Sequence, residues 1–260
     1  MEERRGPRIL VRGFGKSSGE STPPSPPFTN PSDLPGIQEW WNTGAGISQT
    51  SNVMNSWTGQ INGTVLTTES GTGMTYSSSD AAVNNQPSIT NDGSLASLRN
   101  TTITSFTPTT ARSLFFVVKP TASPSTVTYM GGQTSFDNPP SVVAFYTSGP
   151  GDTNNLGGYF VNGATKTTGV STANDVLTFV ITVTNATTSG YALKYKGGSA
   201  TSGTFTGVSG LDDQSPLQFE AGGYANGSLF RGKIMECGWV NGVMSATDIS
   251  NLQDYVDNKY

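Results

Sequence analysis

The sequence predicts an all-β fold: an antiparallel two-sheet jelly-roll sandwich with one short C-terminal helix and an extended N-terminal arm. Three observations point there. From about residue 37 onward, short runs rich in Val, Phe, Ile and Thr alternate with Gly, Asn, Asp and Ser tracts. Charged residues make up 12% of the 260-residue chain, while Ser and Thr together fill 67 positions. The branched Cβ of Thr suits strands and disfavours helices. A helical stripe stands out only at the C-terminus.

The arm and linker come first, over residues 1–36. Arg4, Arg5, Arg8, Arg12 and Lys16 stand there against Glu2, Glu3 and Glu20, while the rest of the chain is acidic and the whole carries −4. Residues 17–36, SSGESTPPSPPFTNPSDLPG, hold six prolines and favour extended, polyproline-like backbone. Such a terminus stays unordered unless tied down. A basic arm on an acidic body is read as a docking element for an acidic protein surface, ahead of nucleic acid. Its first residues lack the apolar stretch of a signal peptide, so none is expected.

The body spans residues 37–260. LFFVVK at 114–119 is apolar on both faces, as in a strand covered from two sides. SVVAFYT at 141–147, VLTFVITVT at 176–184 and YALKYKG at 191–197 follow, with GPGDTNNLGG and KGGSATSG as punctuation. In the second of these runs Leu177, Phe179, Ile181 and Val183 form one apolar face. At the C-terminus Ser245 and Asp248 have capping-box spacing, and Ile249, Leu252 and Val256 make one helical stripe, expected to pack on the sandwich rim.

Composition also excludes chemistry. The chain has no histidine, which removes Ser-His-Asp and Cys-His catalysis and every His-ligated metal. Cys237 is the sole cysteine and sits in an apolar run, where inert packing is the favoured role. No apolar run is long enough for a transmembrane helix.

Residues 229–260, LFRGKIMECGWVNGVMSATDISNLQDYVDNKY, resemble the closing strand and helix of laminin-G-like, concanavalin A-like jelly-roll domains of the kind found in phage virion and bacterial surface proteins. Phe230, Gly232, Ile234, Glu236, Asn241, Tyr255, Lys259 and Tyr260 carry the match. Upstream, Val53, Trp57 and the pair Gln86-Pro87 are similar to the opening of such domains. The resemblance implies the sandwich fold and a structural, hydrogen-bonded role for Glu236, an acid within an apolar strand. Ile234, Glu236 and Gly238 alternate with Met235, Cys237 and Trp239, and one of these faces should be core.

Sites for chemistry are sparse. Glycoside hydrolysis needs two carboxylates across the sugar, and the Glu-x-Asp-x-Glu run of jelly-roll glucanases is missing. Asp212-Asp213 and Asp254 with Asp257 read as solvated surface. GFGKSS at 13–18 lacks both the opening Gly and the following helix of a phosphate loop. Asp152, Asn154 and Asn155 are the candidate ligand loop. They offer oxygen atoms that suit calcium, or form an ordinary Asn/Asp turn, the favoured reading; no other cofactor is expected. Trp40, Trp41 and Trp57 could stack on sugars, with core packing favoured.

These readings lead to an expectation: a non-enzymatic virion structural protein, a phage capsid decoration, cement or fibre-associated subunit. Its arm would dock on other virion proteins such as the major capsid protein, with homo-oligomerisation left open. The alternative is a carbohydrate-binding module of a surface or tail-fibre protein, with glycans as partners. Membrane and nucleic acid are not expected partners.

Overall fold

The computed structural model describes residues 27–68, 74–91, 98–103, 111–120, 128–133, 143–147, 155–160, 164–171, 173–185, 188–205, 217–221, 223–224 and 228–260. The strands are β1 (Ile37–Asn42), β2 (Ile47–Thr50), β3 (Val53–Thr58), β4 (Val65–Thr68), β5 (Met74–Asp80), β6 (Gln86–Asn91), β7 (Leu98–Ile103), β8 (Arg112–Pro120), β9 (Thr128–Gln133) and β10 (Val143–Thr147). They continue with β11 (Asn155–Phe160), β12 (Ala164–Ser171), β13 (Leu177–Asn185), β14 (Thr188–Tyr195), β15 (Thr201–Phe205), β16 (Leu217–Ala221), β17 (Gly223–Tyr224), β18 (Ser228–Leu229) and β19 (Gly232–Asn241). The helix α1 (Ala246–Lys259) closes the chain.

Pairing divides the strands into two antiparallel layers. The first runs β1-β19-β8-β13-β14-β15, with β6 and then β5 joined to the start of β19. The second runs β2-β3-β4-β7-β16-β9-β10-β11-β12. Among the described residues a single pair, Val53 with Thr75, connects the layers at one edge, and β18, itself paired with β17, adds one parallel pair, Leu229 with Tyr129, to β9. This is the all-β antiparallel sandwich with one C-terminal helix that the sequence predicts.

The core lies between the layers. Leu177, Phe179, Ile181 and Val183 of β13 enter it with Leu114, Phe116 and Val118 of β8, and meet Met54, Trp57, Leu66, Leu98 and Leu156 from the second layer. The opposite faces of the same two strands are buried as well. Phe115 and Val180 pack under Leu252 of α1, and Val117 under Val256 and Tyr260. The apolar double face of LFFVVK is thus explained by core on one side and helix on the other. The helix lies across the outer face of the first layer, and not on the rim as its sequence suggested, because β8 and β13 present apolar side chains there that need cover. Its start is fixed as expected: the Ser245 hydroxyl accepts from the Asp248 N–H at 3.1 Å, and the Asp248 carboxylate accepts from the Ser245 N–H at 3.2 Å.

The described end of the predicted linker also belongs to this outer face. Leu34 is 2% exposed and packs with Trp40, Phe115 and Leu252. Phe28 meets Tyr255 edge-to-face at 6.3 Å, and the Asn241 N–H donates to the Gly36 carbonyl at 2.9 Å. Two apolar anchors in an otherwise Pro/Ser-rich stretch are enough to tie residues 28–36 to the body.

Two glycines on β19 are fixed by close approach. Gly232 has φ +143°, and a Cβ there would lie 2.3 Å from the Lys119 carbonyl oxygen. A Cβ at Gly238 would lie 2.6 Å from Phe115 Cζ. Leu252→Ala should empty the contact under the helix and cost about 2–5 kcal/mol, read as a lower urea midpoint. Asp254→Ala on the solvent side should change stability by less than about 0.5 kcal/mol.

Candidate functional site

The acid singled out in the closing strand is fully buried. A bulge between Ile234 and Glu236, where β19 shifts register against β8, explains its position. The extra residue is Met235, whose carbonyl accepts from the Thr43 N–H at 3.0 Å. Because of it, Ile234, Cys237 and Trp239 all enter the core between the layers, whereas Met235 packs with Val256 and Tyr260 on the helix side. The simple alternation expected for residues 234–239 is therefore broken, and Glu236 faces the helix.

There the Glu236 carboxylate accepts from Trp40 Nε1 at 2.8 Å, the Tyr255 hydroxyl at 2.8 Å, the Tyr260 hydroxyl at 2.6 Å and Lys259 Nζ at 2.7 Å. The structural role expected for it holds, with side-chain donors in place of backbone ones. A second buried acid, Glu39, was not singled out from sequence. It accepts backbone N–H groups of Ile61 at 2.9 Å and Thr64 at 2.8 Å and so pins the turn that follows β3. Both carboxylates are engaged internally and neither lines a cleft.

Other residues named from sequence fall as follows. Trp41 and Trp57 are fully buried and Trp40 is 8% exposed, so all three are core. Cys237 is buried, and burial beside Glu236 raises its thiol pKa well above the usual value, which keeps it unreactive. Asp254 and Asp257 flank Lys194 on the surface, at 3.5 and 2.8 Å. Arg4, Arg5, Arg8, Arg12, Lys16, the 13–18 segment, Asp152, Asn154 and Asp212-Asp213 lie outside the described residues, and Asn155 opens β11. Among the described residues no three acidic, Cys or His groups are placed to hold a metal.

The outer face of the second layer brings together positions from distant parts of the chain. Leu66, Leu98 and Leu156 are each fully buried in the core, and strand alternation puts their neighbours on the other face. All three starting points give the same answer. From Leu66 the outer position is Thr67, which pairs with Arg99; Arg99 pairs with Glu220, and Glu220 with Gly131. From Leu156 the outer positions are Gly157 and Tyr159. Tyr159 pairs with Ala144, and Ala144 pairs back to Gly131. From Leu98 the outer neighbour is Arg99 itself. One unbroken row thus crosses the layer and ends at Thr165 on β12. On the other side it continues through Ser56 to Ser48 on β2.

A second row lies one pleat away on the same face, where Tyr129 pairs with Tyr146 and Tyr146 with Gly157. Three tyrosine positions on β9, β10 and β11 therefore adjoin one another, Tyr159 standing diagonal to Tyr146 at a separation of about 7–8 Å. Gly131, Ala144 and Gly157 occupy the positions between them. None of these residues was picked out from sequence; the only signal there was the cluster of Tyr and Gly in short β-type segments.

Comparison with protein-family profiles finds no matching family, and no curated protein matches the chain. Solved structures do share the fold. An arabinofuranosidase complexed with arabinofuranosyl-alpha-1,2-xylobiose is 15% identical with a TM-score of 0.64, covering 90% of this chain and 61% of its own. Domain 4 of a GH43 extracellular arabinanase from Geobacillus stearothermophilus, in complex with arabinotriose, is 11% identical with a TM-score of 0.55, covering 86% of this chain and 99% of that domain. The binding domain of Paraclostridial Mosquitocidal Protein 1 is 13% identical with a TM-score of 0.52, covering 86% of this chain and 52% of its own. The chain thus spans about three fifths of the length of the arabinofuranosidase it matches. These likenesses establish the sandwich fold. They also overturn the expectation that the chain is not an enzyme: the same sandwich makes up most of an arabinofuranosidase chain, so a missing Glu-x-Asp-x-Glu run does not exclude catalysis.

The tyrosines near the helix give a pH signature. Burial pushes the Tyr195 hydroxyl up to about 12. Burial and the adjacent Glu236 charge raise Tyr255 and Tyr260 as well. Unfolded phenols ionise near 10.0, so above that pH the unfolded chain sheds protons that the folded chain keeps. The stability these groups supply should be complete below pH 10 and decline as pH rises toward 12. Urea midpoints measured across this range should fall, with a shallower slope in Tyr195→Phe.

Proposed function

We propose that this chain recognises glycans on the outer face of its second layer. The observation that carries the reading is the meeting of Tyr129, Tyr146 and Tyr159 around glycine positions, beside Arg99 and Glu220 and a row of Ser and Thr. Aromatic rings offer flat apolar surfaces to the C–H faces of sugars, and hydroxyl, guanidinium and carboxylate groups supply directional hydrogen bonds. The fold neighbours that bind an arabinofuranosyl-xylobiose and arabinotriose support this reading over a virion role. The basic residues of the arm, on which the virion role rested, lie outside the described residues.

One observation favours glycoside hydrolysis as a second reading: a carboxylate position, Glu220, stands near the middle of the row. Hydrolysis takes two carboxylates, and Glu220 is the one that the described residues place on this face.

A single set of proteins tests both. Tyr146→Ala and Tyr159→Ala should each weaken binding of arabino- or xylo-oligosaccharides about tenfold, equivalent to ~1.4 kcal/mol, with unchanged circular dichroism. Wild-type affinity in both variants would refute the face. Incubation with 4-nitrophenyl arabinofuranoside tests the second reading: turnover that Glu220→Gln lowers by about a hundredfold or more supports it, and turnover indifferent to that change removes Glu220 from the chemistry.

A further inference from the structure

We infer that the ligand of this face is a linear, uncharged sugar chain of several units laid across the strands, and not a single sugar held in a pocket. The inference rests on the glycan reading and adds the shape and charge of the ligand. It follows from the length and composition of the row. Nine strands contribute one position each between Ser48 and Thr165. At about 4.8 Å per strand the row extends roughly 38 Å before sheet twist shortens it, a span that only an oligomer fills. The two halves differ. Tyrosine positions cluster on β9–β11, while β2–β4 present hydroxyl positions, of which Ser48 and Thr67 are exposed. A short sugar is taken by the half with the tyrosine positions, and a longer chain gains hydrogen bonds as it passes Arg99 toward Thr67.

Charge sets the chemical class. Arg99 and Glu220 sit directly opposite each other, so these row positions cancel, and the chain as a whole carries −4. A polyanionic glycan meets net repulsion.

The test is calorimetric titration of the full chain with arabino- and xylo-oligosaccharides of one, three and six units, and with polygalacturonate. Affinity should rise about tenfold or more from one unit to six. Thr67→Trp, a bulky change at an exposed position on the hydroxyl half, should weaken the six-unit ligand severalfold and leave the three-unit ligand unchanged. Equal affinity for one and six units would overturn the extended ligand while leaving the glycan reading intact. Tighter binding of polygalacturonate would overturn the uncharged class. No binding of any of these sugars would sink the glycan reading itself.

Discussion

A carboxylate taken out of water costs several kcal/mol unless its lone pairs are all engaged. Glu236 meets that condition with donors from β1, from α1 and from the C-terminal residue, at 2.6–2.8 Å. The cage explains why the last residues of the chain hold their places. Tyr260 is 2% exposed although it is terminal, and the Lys259 ammonium lies 2.7 Å from the acid that its own helix covers. Removing one partner would strand the others, so the cage closes the helix onto the first layer as a unit. The bulge at Met235 makes this geometry available by turning Glu236 toward the helix while keeping Ile234 and Cys237 in the core.

That closure makes the two layers unlike each other. Outer positions of the first layer are Phe115, Val117 and Val180, which need apolar cover and receive it from α1 and from Phe28 and Leu34. Described outer positions of the second layer include Ser48, Ser56, Thr67 and Arg99, with the exposed Val65 among them. The low charge and high hydroxyl content of the chain fit this division, since a Ser/Thr face stays solvated without ionic groups.

Glu39 plays the corresponding part at the edge of the first layer. Its oxygens accept the N–H groups of the turn after β3, and a Cβ on Gly59 would lie 2.2 Å from its carboxyl carbon. A buried acid at each end of the β1–β19 pair therefore fastens a neighbouring segment, the helix in one case and the turn in the other. Both acids are withdrawn from solvent by their structural work.

What the sequence determined by itself was local. Alternation in VLTFVITVT marked β13 and its core face, and the Ser245 and Asp248 spacing marked the start of α1. Each depends on residues a few positions apart, whose geometry a strand or helical turn fixes directly. The tertiary structure decided everything that depends on register between distant strands. The bulge that turns Glu236 outward exists only against β8. The row joining Thr67, Arg99, Glu220, Gly131, Ala144 and Tyr159 is assembled from six segments far apart in the chain. A one-residue slip in any of those pairings would send that strand's residues to the opposite face. The face that carries the proposed function is therefore a property of pairing, which no local pattern in the sequence encodes.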